Sequence, residues 1–246
     1  MTEPLLQLTA MSISTNEQVL MHDVMLTVHA GESVALLGTS GLGKSTLLKA
    51  ICGLLPKQRF TVAGQMKFLG HDLRHLKPQQ WRALRGPGLA LMGQNISENF
   101  DERQKLLSHF IEAVRAHEPG RSKADITHAA LDLLYRLELA YPERILHQYS
   151  YEFSLGMSQR VALALTLILK PKLILADEFT SALDLNTRLA VLTELKALQQ
   201  ELGFALLFVT HHPDEAHFMA QRSYILHDGT ITPQQTTPPE ASPCPR

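Results

Sequence analysis

The sequence predicts an α/β fold, with a mostly parallel sheet covered on both faces, an antiparallel β subdomain near its start and an inserted α-helical subdomain. Three observations carry this expectation. Short apolar runs at Ser33–Leu37, Lys172–Ala176 and Ala205–Val209 alternate with helical spacing at Thr46–Leu55 and Leu189–Leu202, the rhythm of buried parallel strands joined by helices. Within the first 30 residues apolar and polar positions alternate, notably at Leu6, Leu8, Val24, Leu26 and Val28, as half-buried antiparallel strands require. From roughly Glu102 to Leu139 the pattern turns helical instead.

The remaining elements are read in chain order. Val62, Met66 and Phe68 form a further strand before Gly70, and a helix opens at Pro78, where proline is tolerated in the first turn, and runs to about Arg85. Leu89–Met92 is a short buried strand leading to Gln94. Leu106, Phe110, Ala113 and Val114 then share one helical face, and Ser122 with Asp125 forms a capping-box-like start to a helix carrying Ile126, Leu131, Leu134 and Leu137. Five of the chain's thirteen prolines fall between Pro233 and Pro245, so residues 233–246 are expected to be a disordered Pro-rich tail. No internal repeat is apparent. Residues 1–232 are therefore expected to form one domain, with the helical subdomain inserted at about 95–155.

Composition narrows the function classes. With 246 residues and 45% hydrophobic content the chain can bury a substantial core. Its 23 basic residues balance 24 acidic ones for a net charge of −1, which argues against nucleic acid as a partner. No apolar stretch approaches the ~20 residues of a membrane-spanning helix, and the opening Met-Thr-Glu-Pro is unlike a secretory signal. A cytosolic chain is expected. Cys52 and Cys244 lack metal-ligand spacing and read as free thiols, and the twelve histidines are scattered without an accompanying ligand set.

The chemistry concentrates where strands end. Gly38, Thr39, Ser40, Gly41, Leu42, Gly43, Lys44, Ser45 and Thr46 match G-x-x-x-x-G-K-[ST] at the turn from an apolar strand into a helix, which points to a nucleoside triphosphate. The glycines let successive N–H groups converge on phosphate oxygens, with the following helix offering its positive end. Lys44 would reach the β and γ phosphates, and Ser45 would hold Mg²⁺. The run Lys172–Ala176 delivers Asp177 and Glu178 to the same sheet edge. Asp177 would orient the Mg²⁺ shell, and Glu178 can accept a proton from an attacking water. His211 ends the next run, where it either reads the γ phosphate or is a satisfied strand-end histidine. Gln94, also at a strand end, can bind Mg²⁺ or the water.

Together these residues resemble the ATP-binding subunit of an ATP-binding-cassette (ABC) transporter, built on a P-loop NTPase core. Gly38–Thr46 is similar to its Walker A motif, Lys172–Asp177 to Walker B, Glu178 to the catalytic glutamate, Gln94 to the Q-loop, Ser181–Asp184 to the D-loop and His211 to the switch histidine. The likeness runs from about residue 6 to 232. The family's signature, usually Leu-Ser-Gly-Gly-Gln, is matched by Phe153–Met157 with departures at Phe153, Leu155 and Met157. The resemblance implies that Ser154 and Gly156 contact ATP held by a partner subunit. Leu155 puts a side chain where backbone would approach phosphate, so an asymmetric pair is expected, with the partner's site impaired. Phe179 stands where proline is common, with little chemical effect expected. Residues 1–30 contain no aromatic residue to stack on adenine.

The segments Ala176–Asp184, Gly203–His211 and Leu84–Gln94 are similar to subunits serving bacterial importers of nickel and peptides. The short tail leans toward the nickel or metal-chelate type. The resemblance implies ATP and Mg²⁺ as cofactors, a second and different ATP-binding subunit, two integral-membrane permeases, an extracytoplasmic substrate-binding protein and a peripheral place on the cytoplasmic face of the inner membrane. A soluble ABC ATPase, an ABC exporter subunit and a small-molecule kinase or GTPase are the rival readings.

Overall fold

The computed structural model describes residues 3–94 and 100–234. The chain opens with β1 (Leu6–Thr15), β2 (Val19–Val28) and the wholly buried β3 (Ser33–Leu37), then α1 (Lys44–Ile51), β4 (Phe60–Phe68) and β5 (His71–Asp72). Next come α2 (Pro78–Leu84), β6 (Leu89–Met92), α3 (Leu106–Arg115), α4 (Lys123–Arg136), α5 (Pro142–Ile145) and α6 (Leu155–Leu167). The last third holds β7 (Leu173–Asp177), α7 (Leu185–Leu202), β8 (Ala205–Val209), α8 (Pro213–Met219), β9 (Arg222–His227) and β10 (Thr230–Gln234).

Two sheets result. An antiparallel sheet runs in the order β2-β1-β4-β5, and a six-stranded sheet runs β10-β9-β3-β8-β7-β6, parallel except for β10 at its edge. Successive side chains of a strand point to opposite faces, so each central strand feeds two cores. Ala35, Ile174, Leu206 and Phe208 pack with Phe110, Leu134, Val161 and Leu195 of the helices. Val34, Leu36, Leu175 and Leu207 pack with Leu47 and Leu48 of α1 and with Leu6, Leu8 and Met66 of the antiparallel sheet. This double coverage explains why the central strands read as continuous apolar runs. Among the described residues no helix is long and apolar enough to cross a membrane.

Several boundaries differ from the expectation for local reasons. α1 begins at Lys44 and ends at Ile51, short of Leu55, because Gly53 turns left-handed at φ +62° and the Trp81 ring packs where its Cβ would sit. β7 starts one residue late, since the Lys172 N–H bonds to the carbonyls of Pro87 and Gly88. Pro233 and Gln234, expected in the tail, extend β10 opposite Tyr224 and Ser223, where an edge strand tolerates the missing proline N–H. The tail from 235 and residues 95–99 of the helical subdomain lie outside the described residues. Ser122 does cap α4, its Oγ accepting the Asp125 N–H at 3.0 Å; it also donates to the Asp125 carboxylate at 2.7 Å, in place of a reciprocal backbone bond. β1 also carries a bulge where its apolar alternation changes phase, from Leu6 and Leu8 to Met11 and Ile13: Ala10 takes φ +46° and the register to β4 shifts between Thr9 and Ser12. Gly64 faces that bulge, and a Cβ there would lie 2.2 Å from the Ala10 carbonyl oxygen.

Candidate active site

Gly38 follows β3 directly and begins the turn into α1. Its φ of +145° is open to glycine alone, and a Cβ would stand 2.8 Å from the Leu226 carbonyl oxygen, so the loop passes tightly over β9. Gly41 and Gly43 are left-handed at φ +86° and +94°, and Gly43 is the residue from which α1 springs. The helical ladder starts with Leu47 N–H to Gly43 O at 2.9 Å, so the N–H groups of Lys44, Ser45 and Thr46 precede it. These donors and the helix dipole make a seat for an anion. Lys44 Nζ arches back over the loop, donating to the carbonyls of Gly38 and Thr39 at 2.7 Å each. Burial holds its ammonium below the ordinary lysine range, against the opposing pull of Glu178 and Asp177.

The ends of neighbouring parallel strands bring the remaining groups here, as is general for open α/β sheets. Asp177 is the last residue of β7, and its Oδ1 accepts from Ser45 Oγ at 3.0 Å. Burial pushes the Asp177 carboxyl above the usual carboxylate range, the Ser45 hydrogen bond opposes this and the Glu178 charge reinforces it. Glu178 takes φ +46°, a strained conformation for a residue with a side chain, while its N–H continues the ladder to Val209 O at 3.1 Å. Its Oε2 accepts from Gln94 Nε2 at 3.2 Å, and His211 Nδ1 lies 3.7 Å from the same oxygen. The His211 ring packs on His212 at a centroid distance of 3.9 Å; burial, and then the charge of Arg188 and His211, hold the His212 imidazole below its ordinary range.

A cleft of about 320 Å³ lies in front of these groups, lined by Ser40, Gly41, Lys44, Ser45, Gln94 and Glu178 among others. The loop, Asp177, Glu178, Gln94 and His211 are thus brought to one sheet edge. Ser154 and Gly156 are not. Ser154 caps α6, accepting the Met157 N–H at 3.3 Å, Leu155 is its first helical residue, and a Cβ on Gly156 would meet Thr187 of α7 at 3.0 Å. The expected Ser181–Asp184 turn leads into α7, and Asp184 caps that helix by accepting the N–H groups of Asn186 and Thr187 at 3.1 Å. Sequence reasoning did not single out the buried Glu215 behind this edge, because the two adjacent acids in the first turn of a short helix, Asp214 and Glu215, both read as solvated.

The donor set fits the anticipated ligands. Three left-handed glycines, helix-start N–H groups and a lysine suit polyphosphate, and the all-oxygen set of Ser45, Asp177 and the Gln94 amide suits Mg²⁺.

Residues 21–181 match the family model described as ABC transporter. The metal-staphylopine import system ATP-binding protein CntD of Staphylococcus aureus is 34% identical over 220 residues, which is 89% of this chain and 80% of CntD. The probable peptide ABC transporter ATP-binding protein y4tR of Sinorhizobium fredii is 35% identical over 84% of this chain, which spans 62% of y4tR. Among solved structures, the dimeric bacterial ABC transporter cassette MJ0796 superposes with a TM-score of 0.79 at 27% identity, covering 92% of this chain and 96% of that one. MJ0796 has also been solved as a dimer in a post-hydrolysis state bound to ADP and Pi.

Proposed function

This chain belongs to the ABC transporter family and is an ATP-binding, ATP-hydrolysing cassette, and from that premise we propose that it drives a bacterial importer of metal-chelates or peptides. CntD and y4tR, whose names specify those two cargo classes, support the reading. The observation that carries the mechanism is the convergence of Gln94 and His211 on one oxygen of Glu178, beside the loop that holds Lys44.

In this reading Gly38–Thr46 grips the phosphates through backbone N–H groups, and Lys44 leaves its carbonyl partners for the β and γ phosphate oxygens. Ser45, Gln94 and Asp177 would hold Mg²⁺, which supplies charge neutralisation of the phosphates when bound. Glu178 orients a water and takes its proton. His211 and Gln94 keep the carboxylate aimed, and both sense whether a γ phosphate lies in front of it.

The chain pairs with a second ATP-binding subunit, to which it presents Ser154 and Gly156, and it sits peripherally at the cytoplasmic membrane face against two permeases served by a substrate-binding protein. A mainly apolar groove of about 560 Å³ supports the permease contact. It runs between the end of α1, β6 and the second half of α6, lined by Leu91, Met92, Phe100, Leu165 and Leu169 among others. Met92 lies two residues from Gln94, so a helix seated there would move with the site.

Glu178→Gln should keep ATP binding within about twofold and lower turnover by about 10²-fold or more, the usual worth of a general base. Equilibrium binding of a fluorescent ATP analogue and phosphate release measure the two. Wild-type turnover in this variant would remove Glu178 from its role.

A further inference from the structure

We infer that Glu215 is a positioning residue for hydrolysis: it clamps the ends of β7 and β8 together and so sets the separation of Glu178 and His211. The inference rests on the roles proposed above for those two residues. It starts from a buried charge the mechanism does not use. Glu215 lies in the first turn of α8 and is only 6% exposed, and its two nearest partners, Thr180 and Thr210, are 1% and 2% exposed.

Each carboxylate oxygen serves a different strand end. Thr180 Oγ1 donates to Oε1 at 2.7 Å, and Thr210 Oγ1 donates to Oε2 at 2.5 Å. Thr180 lies two residues after Glu178, and Thr210 immediately precedes His211. The Thr210 hydroxyl is further committed, because it accepts the His212 N–H at 3.0 Å and so is oriented to donate toward Glu215. Arg188 supplies the balancing charge. Its Nε is 3.4 Å from Oε1, an ion pair without good hydrogen-bond alignment, while its Nη2 donates to the Leu183 carbonyl at 3.1 Å. The turn between Glu178 and α7 is therefore held at both ends, by Thr180 on the carboxylate and by Leu183 on the guanidinium.

This geometry answers a need visible in the site. Glu178 sits in a left-handed conformation that persists only where its surroundings over-determine it. Its backbone has two fixed points of its own, Val209 O accepting its N–H and Ser181 N–H donating to its carbonyl at 3.0 Å. Glu215 adds the third, and ties it to the residue before His211. A buried carboxylate with two hydroxyl donors and one guanidinium beside it is satisfied, so it acts as a rigid strut. Misplacing a catalytic group by about 1 Å can cost on the order of 10²-fold in rate.

The test compares the full chain with Glu215→Ala, Thr180→Val and Thr210→Val, and with Thr180→Ser and Thr210→Ser, which keep the hydroxyl. Hydrogen exchange of backbone amides is read in 178–184 and 210–212 without nucleotide, and kcat and KM for ATP are measured separately. The expected result is faster exchange in both segments at once for the alanine and valine variants, with kcat down about tenfold or more, KM within about twofold, and wild-type values in the serine variants. Loosening confined to the segment that carries the substitution, or an unchanged kcat, overturns the clamp. Glu178→Gln in the same assay separates the two readings. If it loses turnover while Glu215→Ala keeps it, the clamp alone fails; if it keeps turnover, the role of Glu178 fails and the exchange pattern still decides the clamp. Should Glu215→Ala not fold, the valine and serine pairs carry the comparison.

Discussion

Leu155 shows how a single residue can be legible in type and illegible in consequence. At the first position of α6 its side chain is 46% exposed, and the helical backbone there asks nothing of glycine. Leu155→Gly should therefore cost no more than about 1 kcal/mol, the penalty of glycine at a helical position. In the assembled complex the same change should raise ATP turnover severalfold if the leucine holds the partner's site apart; melting temperature and turnover of wild type and variant decide it, and equal turnover shows that the leucine is tolerated. Other residues were readable outright. Gly38, Lys44 and Ser45 could be named from spacing alone, because a phosphate loop is local and its chemistry is carried by consecutive residues. The left-handed backbone of Glu178 could not, since it is imposed by a bond to Val209, a strand away.

Elements were legible wherever hydrophobic period and capping agreed, as in β3, α2 and α4, and less so where a neighbour decided the boundary. The β1 bulge is partly of the second kind: the apolar alternation slips from Leu6 and Leu8 to Met11 and Ile13, but only the pairing with β4 makes that slip a bulge at Ala10 and Gly64 necessary. The contact between α6 and α7 is another. Arg160 binds Glu194 in a bidentate fork, Nη2 to Oε1 at 2.6 Å and Nε to Oε2 at 2.8 Å, with Glu194 buried. This fork joins the helix capped by Ser154 to the helix capped by Asp184. Arg160→Ala strands a buried carboxylate and should cost about 3–5 kcal/mol, whereas the double change with Glu194→Ala should recover part of that loss. Denaturant unfolding of the two single variants and the double variant measures the coupling.

For the molecule as a whole, the two sheets must be fixed to each other, and one ion pair stands at their junction. Arg222 opens β9, binds Glu32 just before β3 and donates through Nη2 to the Thr27 carbonyl of β2 at 2.7 Å. Burial would raise the Glu32 carboxyl, but the Arg222 hydrogen bond, the His29 N–H and the charge of Arg222 outweigh it, so the carboxyl lies below the ordinary glutamate range. A depressed folded value means stability that is fully present above the unfolded value and lost as pH falls through the folded one. Thermal melts across the acid range should show wild type losing that share of stability, while Glu32→Gln lacks it throughout and costs about 1 kcal/mol at neutral pH, a modest figure because Arg222 is partly exposed. Equal pH profiles would remove the pair from this role. The sequence by itself determined the strands, the phosphate loop and the acids and histidine that follow apolar runs, because periodicity and turn chemistry act over a few residues. Only the tertiary structure decided that Gln94 and His211 meet on Glu178, that Ser154 and Gly156 stand apart from Lys44, and that Glu215 joins two strand ends. Those outcomes depend on the strand order β3-β8-β7-β6, which is chosen by burying both faces of the sheet at once and is not written in any local segment.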